Sequence, residues 1–292
     1  MSGIATNRTN ISLPGSVASE IIQKTQDDSA IMKLATKVTL PGRGATIPVI
    51  TSDPTAAWVG ETEKKPVSSP GLSTKQMTGY TISIIELFSN QFKRDNNTLY
   101  NALVKRLPLA LAKKFDETVF GNGVAPGENF DTFAGCTQQS LASDVYGGLV
   151  AADTNVSLNG GMVSGYAITP QMRSILLSAL DKNDRPLFIN SVAEGAIPMI
   201  LGQPTYISRA AFVSGSPNVV GVAGDWSKAM YGVVEGVDVS ISTDATLTLP
   251  DGTTNVNLFQ QNMFAVRAEM EIGFVAQTEM FNLLTATTVP SI

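Results

Sequence analysis

The stretch from Asp95 to Gly123, DNNTLYNALVKRLPLALAKKFDETVFGNG, predicts one long helix with both ends marked. Asn96 or Asn97 is suited to the N-cap, because a short side-chain oxygen accepts from the free N–H groups of the first turn. Leu99, Leu103, Leu107, Leu111 and Phe115 recur every fourth residue, joined by Tyr100, Val104 and Val119. That spacing is an apolar stripe along one side of a 3.6-residue period. Gly121 follows as a left-handed C-terminal cap, and Gly123 leaves the chain free to turn. Such a helix spans roughly 35 Å, long for a globular domain. Pro108 inside it predicts a bend, since proline removes a donor and crowds the preceding turn. Lys105, Arg106, Lys113, Lys114, Asp116 and Glu117 fall on the other faces. The helix is a beam on which other parts can hang.

Residues 1–10 are polar. Two short helices are predicted after them. Pro14 opens the first, with Val17, Ile21 and Ile22 on one side; Asp27 or Asp28 caps the second, with Ile31, Met32 and Leu34 apolar. Neither stands alone at that length, so both need a partner surface. From Lys37 the period becomes two. KVTLPGRGATIPVIT reads as strand, turn and strand. A segment rich in Pro, Gly, Ser and charge follows, with a short strand at Ala56 to Val59. Then comes a long strand in MTGYTISIIELFSNQF, where Tyr80, Ile82 and Ile84 share a face. The result is an extended hairpin of roughly fifty residues with a polar tip. A two-stranded ribbon is marginal in water by itself, so this one is expected to lie on another subunit.

Beyond the long helix, NGVAPGENFDTFAGCTQQS is an irregular connection. Residues 138–245 alternate helix and strand signals. In GYAITPQMRSILLSALDKNDRPLF a strand runs into a Thr-Pro helix start, with Met172, Leu176, Leu177 and Leu180 apolar. Short strands of a mixed sheet follow. Pro250-Asp251-Gly252 marks a turn. The long strands after it, carrying Phe264, Val266, Ile272, Phe274 and Val275, are expected to pair with earlier strands and to rejoin the long helix.

Charged residues are only 15% of the 292, against about 25% in ordinary globular chains. That fits a surface largely covered by neighbours. The net charge of −5 gives no electrostatic case for gripping nucleic acid. Histidine is absent, which excludes Ser–His–Asp and Cys–His nucleophiles, a histidine base and histidine-ligated zinc. The single Cys136 forms no intrachain disulfide and is expected as a reduced thiol. No apolar h-region opens the chain, so no secretory leader is expected, and no apolar run approaches the ~18 residues of a membrane span.

No cofactor, metal or catalytic constellation is expected. There is no Gly-Lys-Ser/Thr phosphate loop and no GxGxxG. Asp181, Asn183 and Asp184 open like a calcium loop, but Arg185-Pro186 replaces the glycine turn and no Glu closes it. Gly224-Asp225-Trp226 reads as a turn before a buried aromatic. Arg267, Glu269 and Glu271 alternate along a strand, the pattern of an ion-paired sheet face.

The order of these parts resembles the major capsid proteins of tailed bacteriophages, which have the α+β Hong Kong 97-like fold. An N-terminal arm at 1–36 and an extended loop at 37–92 come first. A peripheral domain with its spine helix at 93–137, an axial domain at 138–245 and returning peripheral strands at 246–292 follow the family's order. The resemblance rests on IPVITSDPTAAWVGETEKKPVSSPGLSTKQMTGYTISIIELFSNQ as the loop and the helix ending FGNG as the spine. It rests also on NMFAVRAEMEIGFVAQTEMF as the closing strands and GYAITPQMRSILLSALDKNDRPLF with LGQPTYIS as the axial domain. It implies a non-enzymatic shell protein, assembled in the host cytoplasm into a virion. Copies of itself would form hexamers and pentamers of an icosahedral head that encloses double-stranded DNA, with no membrane. It implies a portal and, since the arm begins near Met1, scaffolding that is a separate protein or is dispensed with. Some members join subunits by a Lys–Asn bond assisted by a Glu, for which Lys64 or Lys65, Asn262 and Glu269 are the matching candidates. Two rivals remain: an encapsulin-type nanocompartment shell, and a soluble oligomeric enzyme using carboxylates such as Asp225 with Glu269.

Overall fold

A computed structural model of the chain describes residues 29–52, 54–69, 71–90, 96–181, 183, 185–188 and 199–287. The expected first helix around Pro14 and the polar opening residues lie outside these. The long helix, α2, is Asn96–Val119, preceded by a short α1 at Ala30–Leu34. It passes Pro108 without a break. Leu107, Leu111, Phe115 and Val119 are all buried, which is the predicted stripe; the side chains of Leu99, Tyr100, Leu103 and Val104 are outside the described set. At its end Gly121 has φ +88°, Asn122 N–H donates to Glu117 O at 2.8 Å, and Gly121 N–H donates to Thr118 O at 3.2 Å. This is the two-bond Schellman closure. A Cβ on Gly121 would also meet that of Ala134 at 2.8 Å.

Two sheets flank the helix. The first has the order β1-β10-β13-β4, from Thr36–Thr39, Ala229–Ser242, Met263–Ala276 and Tyr80–Ser89. β1 runs parallel to β10, and the rest is antiparallel. Each fourteen-residue strand, β10 and β13, extends roughly 46 Å, and register shifts between Val233 and Asp238 bend the pair. Tyr80, Ile82 and Ile84 of β4 turn together toward the helix and its core. The second sheet has the order β5-β14-β9-β6-β8-β7. Its strands are Thr137–Ser140, Phe281–Ala286, Asn218–Gly224, Gly165–Ile168, Gln203–Ile207 and Met199–Ile200. One face is covered by α3 (Val145–Leu158) and α4 (Pro170–Ser178) through Leu149, Ala152, Val156, Met172 and Leu176. Thr169 caps α4 by accepting from Met172 N–H at 3.1 Å, with Pro170 at its first turn. Leu180 falls beyond that helix.

The other face of the second sheet, with Ala167, Val222 and Leu283, shares one continuous core with the first sheet and α2. At its centre is Phe133, in a single 3-10 turn of the irregular connection. Its ring lies 4.6 Å from Phe281, 5.6 Å from Phe274, 5.7 Å from Trp226 and 6.2 Å from Phe120. The chain crosses between the sheets twice more, after β9 and after β13. β10 therefore belongs to the first sheet and β14 to the second, so pairing does not divide the chain at residue 245.

Three local expectations change. Ser29, not Asp27 or Asp28, caps α1, accepting from Met32 N–H at 3.1 Å. Ala56 to Val59 forms no strand, for among the described residues no strand pairs with it to complete a ladder. Asp116, placed by the sequence on a face away from the apolar stripe, is buried because α1 lies over it. Ser29 Oγ donates to its carboxylate at 2.5 Å, Ala30 N–H at 2.9 Å and Ser208 Oγ at 3.4 Å. The carboxylate thus ties α1, α2 and the second sheet's Ser208 to one point.

Phe133→Ala leaves a hole between the sheets and is expected to cost about 3–5 kcal/mol in denaturant unfolding; a loss below about 1 kcal/mol would show that Phe133 does not join them. Burial raises the Asp116 pKa to about 6, while hydrogen bonds from Ser29, Ala30 and Ser208 pull it back. The folded state therefore holds the proton more tightly than the unfolded chain. Its stabilising contribution is complete below the unfolded value of 3.8 and disappears as pH rises through about 6. Relative to Asp116→Asn, the native protein should gain about 2 kcal/mol between about pH 7.5 and about pH 4.5. Parallel pH profiles for the two would refute this.

Candidate assembly interface

The extended hairpin is built from β2 (Ala45–Ser52) and β3 (Gly71–Met77), paired antiparallel from Ala45↔Met77 to Ile50↔Leu72. The returning partner is thus GLSTKQM, not the strand with Tyr80, Ile82 and Ile84. That second strand is β4 and leaves the hairpin for the first sheet. At the base Ile47 and Met77 are buried with Leu40 and Val275. Gly44 sits at φ +81°, where a Cβ would strike Met77 O at 2.7 Å, so the entry to the hairpin requires glycine. Lys75 fixes the base on the body: its Nζ lies 2.7 Å from Asp131 Oδ2 and donates to Ala276 O at 2.7 Å. Asp131 Oδ2 also accepts from Ala276 N–H at 2.9 Å.

The distal loop is different. Residues 54–67 are all exposed and carry no regular structure. Thr55 N–H donates to Ser68 Oγ at 2.9 Å, holding the two sides together. The loop still carries Trp58 and Val67, 103% and 92% exposed. Two further apolar patches lie at opposite ends of the second sheet. Tyr146, Val150 and Leu158 form an outward stripe on α3, which overlies β5, β14 and β9. Met199, Leu201 and Ile207 are exposed at the β7–β8 end.

The candidate cross-link residues fall in separate places. Lys64 and Lys65 stand exposed in the distal loop. Asn262 is an exposed turn residue at φ +53°; its Oδ1 accepts from Asn90 Nδ2 at 2.7 Å, and its carbonyl accepts from Asn90 N–H at 2.9 Å. Glu269 lies seven residues further along β13, about 23 Å away, beside Arg267 at 3.4 Å. One copy alone does not bring Asn262 and Glu269 together.

The carboxylate pair of the enzyme reading does not converge either. Asp225 caps a turn, accepting from Ser227 N–H at 3.1 Å and Ser227 Oγ at 2.6 Å. That turn leads to Ala229, which opposes Ala276, again seven residues along β13 from Glu269. Asp181 is occupied by Arg185 at 2.9 Å and by the N–H of Asn183, which uses the oxygens a cation would need. Among the described residues no cluster of ligating side chains is suited to a metal, and no helix is long and apolar enough to cross a membrane. Cys136 is buried, and desolvation pushes its thiol up to about 12, so it is inert.

Comparison with known proteins agrees with this picture. The probable major capsid protein gp17 of Mycobacterium phage D29 is 28% identical over 275 residues, covering 88% of this chain and 84% of that one. The major capsid protein of Staphylococcus phage 80alpha is 24% identical over 268 residues, 87% of this chain and 78% of that one. A solved chain from Microbacterium phage Oxtober96 superposes with a TM-score of 0.72 at 19% identity, over 98% of this chain and 95% of that one. The fold is Hong Kong 97-like. The profile of the phage capsid family matches residues 10–285, and the chain belongs to that family.

Proposed function

We propose that the chain is the major capsid protein of a tailed bacteriophage. Copies assemble as hexamers and pentamers into an icosahedral shell around packaged double-stranded DNA. The observation that carries this reading is the hairpin: its base is fixed on the body by Lys75, and its distal loop is solvated all round. Such an element becomes favourable only when a neighbour covers it. The two apolar patches on the second sheet support rings. They are different surfaces at opposite ends of one sheet, so a head-to-tail contact uses both, and a head-to-tail contact that closes is a ring. Charge supports it as well. α3 carries Asp153 alone and Asp144 stands at its start, while the stretch 199–211 carries Arg209 alone.

The low charge content and acidic balance suit a container that touches its neighbours widely and its genome weakly. A portal and a separate scaffolding protein belong to the same reading, as do a virion location and assembly in the host cytoplasm. A Lys64 or Lys65 bond to Asn262, with Glu269 as helper, requires groups from different copies, because one copy separates them.

Recombinant chain examined by electron microscopy and sedimentation velocity should give closed shells or capsomer rings, alone or with its scaffolding protein. A monomer or dimer under both conditions would overturn the reading. Particles of nanocompartment size that carry a cargo enzyme in place of DNA would favour the encapsulin alternative. Lys75→Met should lower stability by only ~1 kcal/mol, since the ion pair is partly exposed, yet reduce shell yield at least tenfold, because the hairpin loses its fixed direction. Normal yield would mean that Lys75 does not set that direction. Denaturing gels of mature particles check the cross-link: a ladder of multimers is expected, and a single monomer band would dispose of it.

A further inference from the structure

Of the chain's two tryptophans, Trp226 is buried at 2% exposure, with its Nε1–H donating to Gly165 O at 2.9 Å. Trp58 is wholly solvated. A large aromatic side chain left in water is a strong recognition element, because its burial removes much apolar surface at small conformational cost. Among the described residues its own body offers it no cover, as the loop around it, 54–67, is exposed throughout.

Among the described residues the same body leaves an apolar cleft open elsewhere. Between α2 and β4 lies an open cleft of about 320 Å³, walled by Tyr80, Ile82, Phe115, Val124, Phe130 and Ile272. Tyr80 and Phe115 both meet Phe130 edge to face, at 6.1 and 6.4 Å, so the walls are rigid rings. β4 is the edge strand of its sheet, with β13 on one side only. Among the described residues no strand pairs with its outer side at Tyr80–Ser83, where the cleft lies, so an indole N–H can reach backbone carbonyls there. Lys114 lines the rim, and no carboxylate among the described residues pairs with it. Glu61 follows Trp58 by three residues in an exposed loop.

We propose that this cleft receives Trp58 of a second copy of the chain, with Glu61 of that copy facing Lys114. The inference rests on the shell reading and specifies one contact within it. Apolar ring meets apolar walls, the indole N–H meets the outer edge of β4, and opposite charges meet at the rim. Lys114 also stands where an ammonium can lie on the indole face. Knob and cleft are different surfaces of one molecule, so each copy gives one and receives one, and the contact propagates from copy to copy.

The test uses tryptophan emission of assembled and dissociated protein, with assembly monitored by sedimentation. Trp226 is buried in both states, so any change reports Trp58. Assembly should shift the emission maximum to the blue and abolish acrylamide quenching of the exposed component. Assembled particles whose emission stays red and quenchable would overturn the proposal while leaving the shell reading intact. Failure to assemble under any condition would overturn both. The location is checked by the double variant Trp58→Cys with Val124→Cys, whose two thiols are the reactive ones because Cys136 is buried. Oxidised particles should give disulfide-linked multimers on non-reducing gels. A blue shift in the native protein without such multimers would place Trp58 elsewhere and refute the cleft. Trp58→Ala should raise the protein concentration needed for assembly roughly thirtyfold.

Discussion

The aromatic cluster around Phe133 decides the architecture. Two sheets with separate hydrogen-bond ladders are held together mainly by apolar contact. The rings of Phe120, Phe274, Phe281 and Trp226 converge on one side chain from α2's end, β13, β14 and the turn after β9. Their edge-to-face and tilted arrangements add a directional term to plain burial, so the sheets meet at a defined angle. With that angle fixed, α2 lies against both, and Asp116 can find donors from α1 and from Ser208 at once.

The hairpin obeys a different logic. Its strands contain Lys75, Thr74 and Gln76 where a buried sheet would carry valine or isoleucine. Ladder hydrogen bonds and a polar clamp keep its shape, and little apolar burial contributes beyond the base. A ribbon of that kind keeps its direction and leaves its apolar side chains available for others. The division of labour is clear in the two tryptophans: Trp226 stabilises the fold, and Trp58 contributes nothing to it.

The spine helix was legible from its stripe and its terminal glycine, and Gly121 took the left-handed conformation that its place after Phe120 required; the expected caps Asn96 and Asn97 instead lie inside the helix, which begins at Asn96. The family and its fold were legible too, from the quoted stretches taken together. What stayed hidden has physical reasons. β3 shows no apolar alternation, since both of its faces are largely wet, so its strand character comes from pairing with β2. α3 was not singled out because Tyr146, Val150 and Leu158 make its outer side apolar as well, erasing the contrast that marks a surface helix, and Gly147 and Gly148 lower its propensity. Phe133 sat in a turn-rich connection, where sequence gives no period to read. Asp116 looked like one more charge off the apolar stripe, because only tertiary contact reveals that α1 covers it. Of the cross-link candidates, their types were readable and their separation along β13 was not.

Two of the three passages between sheets, from β9 into β10 and from β13 into β14, are each four residues long. Both are short covalent tethers that run side by side, joined where Gln277 N–H donates to Lys228 O at 3.1 Å. A container filled from within stretches its wall. Tension across these two crossings has no soft linker to extend. It must draw on two taut peptide segments and on a core whose rings interlock. In a wall built of such bodies, the hairpin and the contacts between copies are the places left to yield.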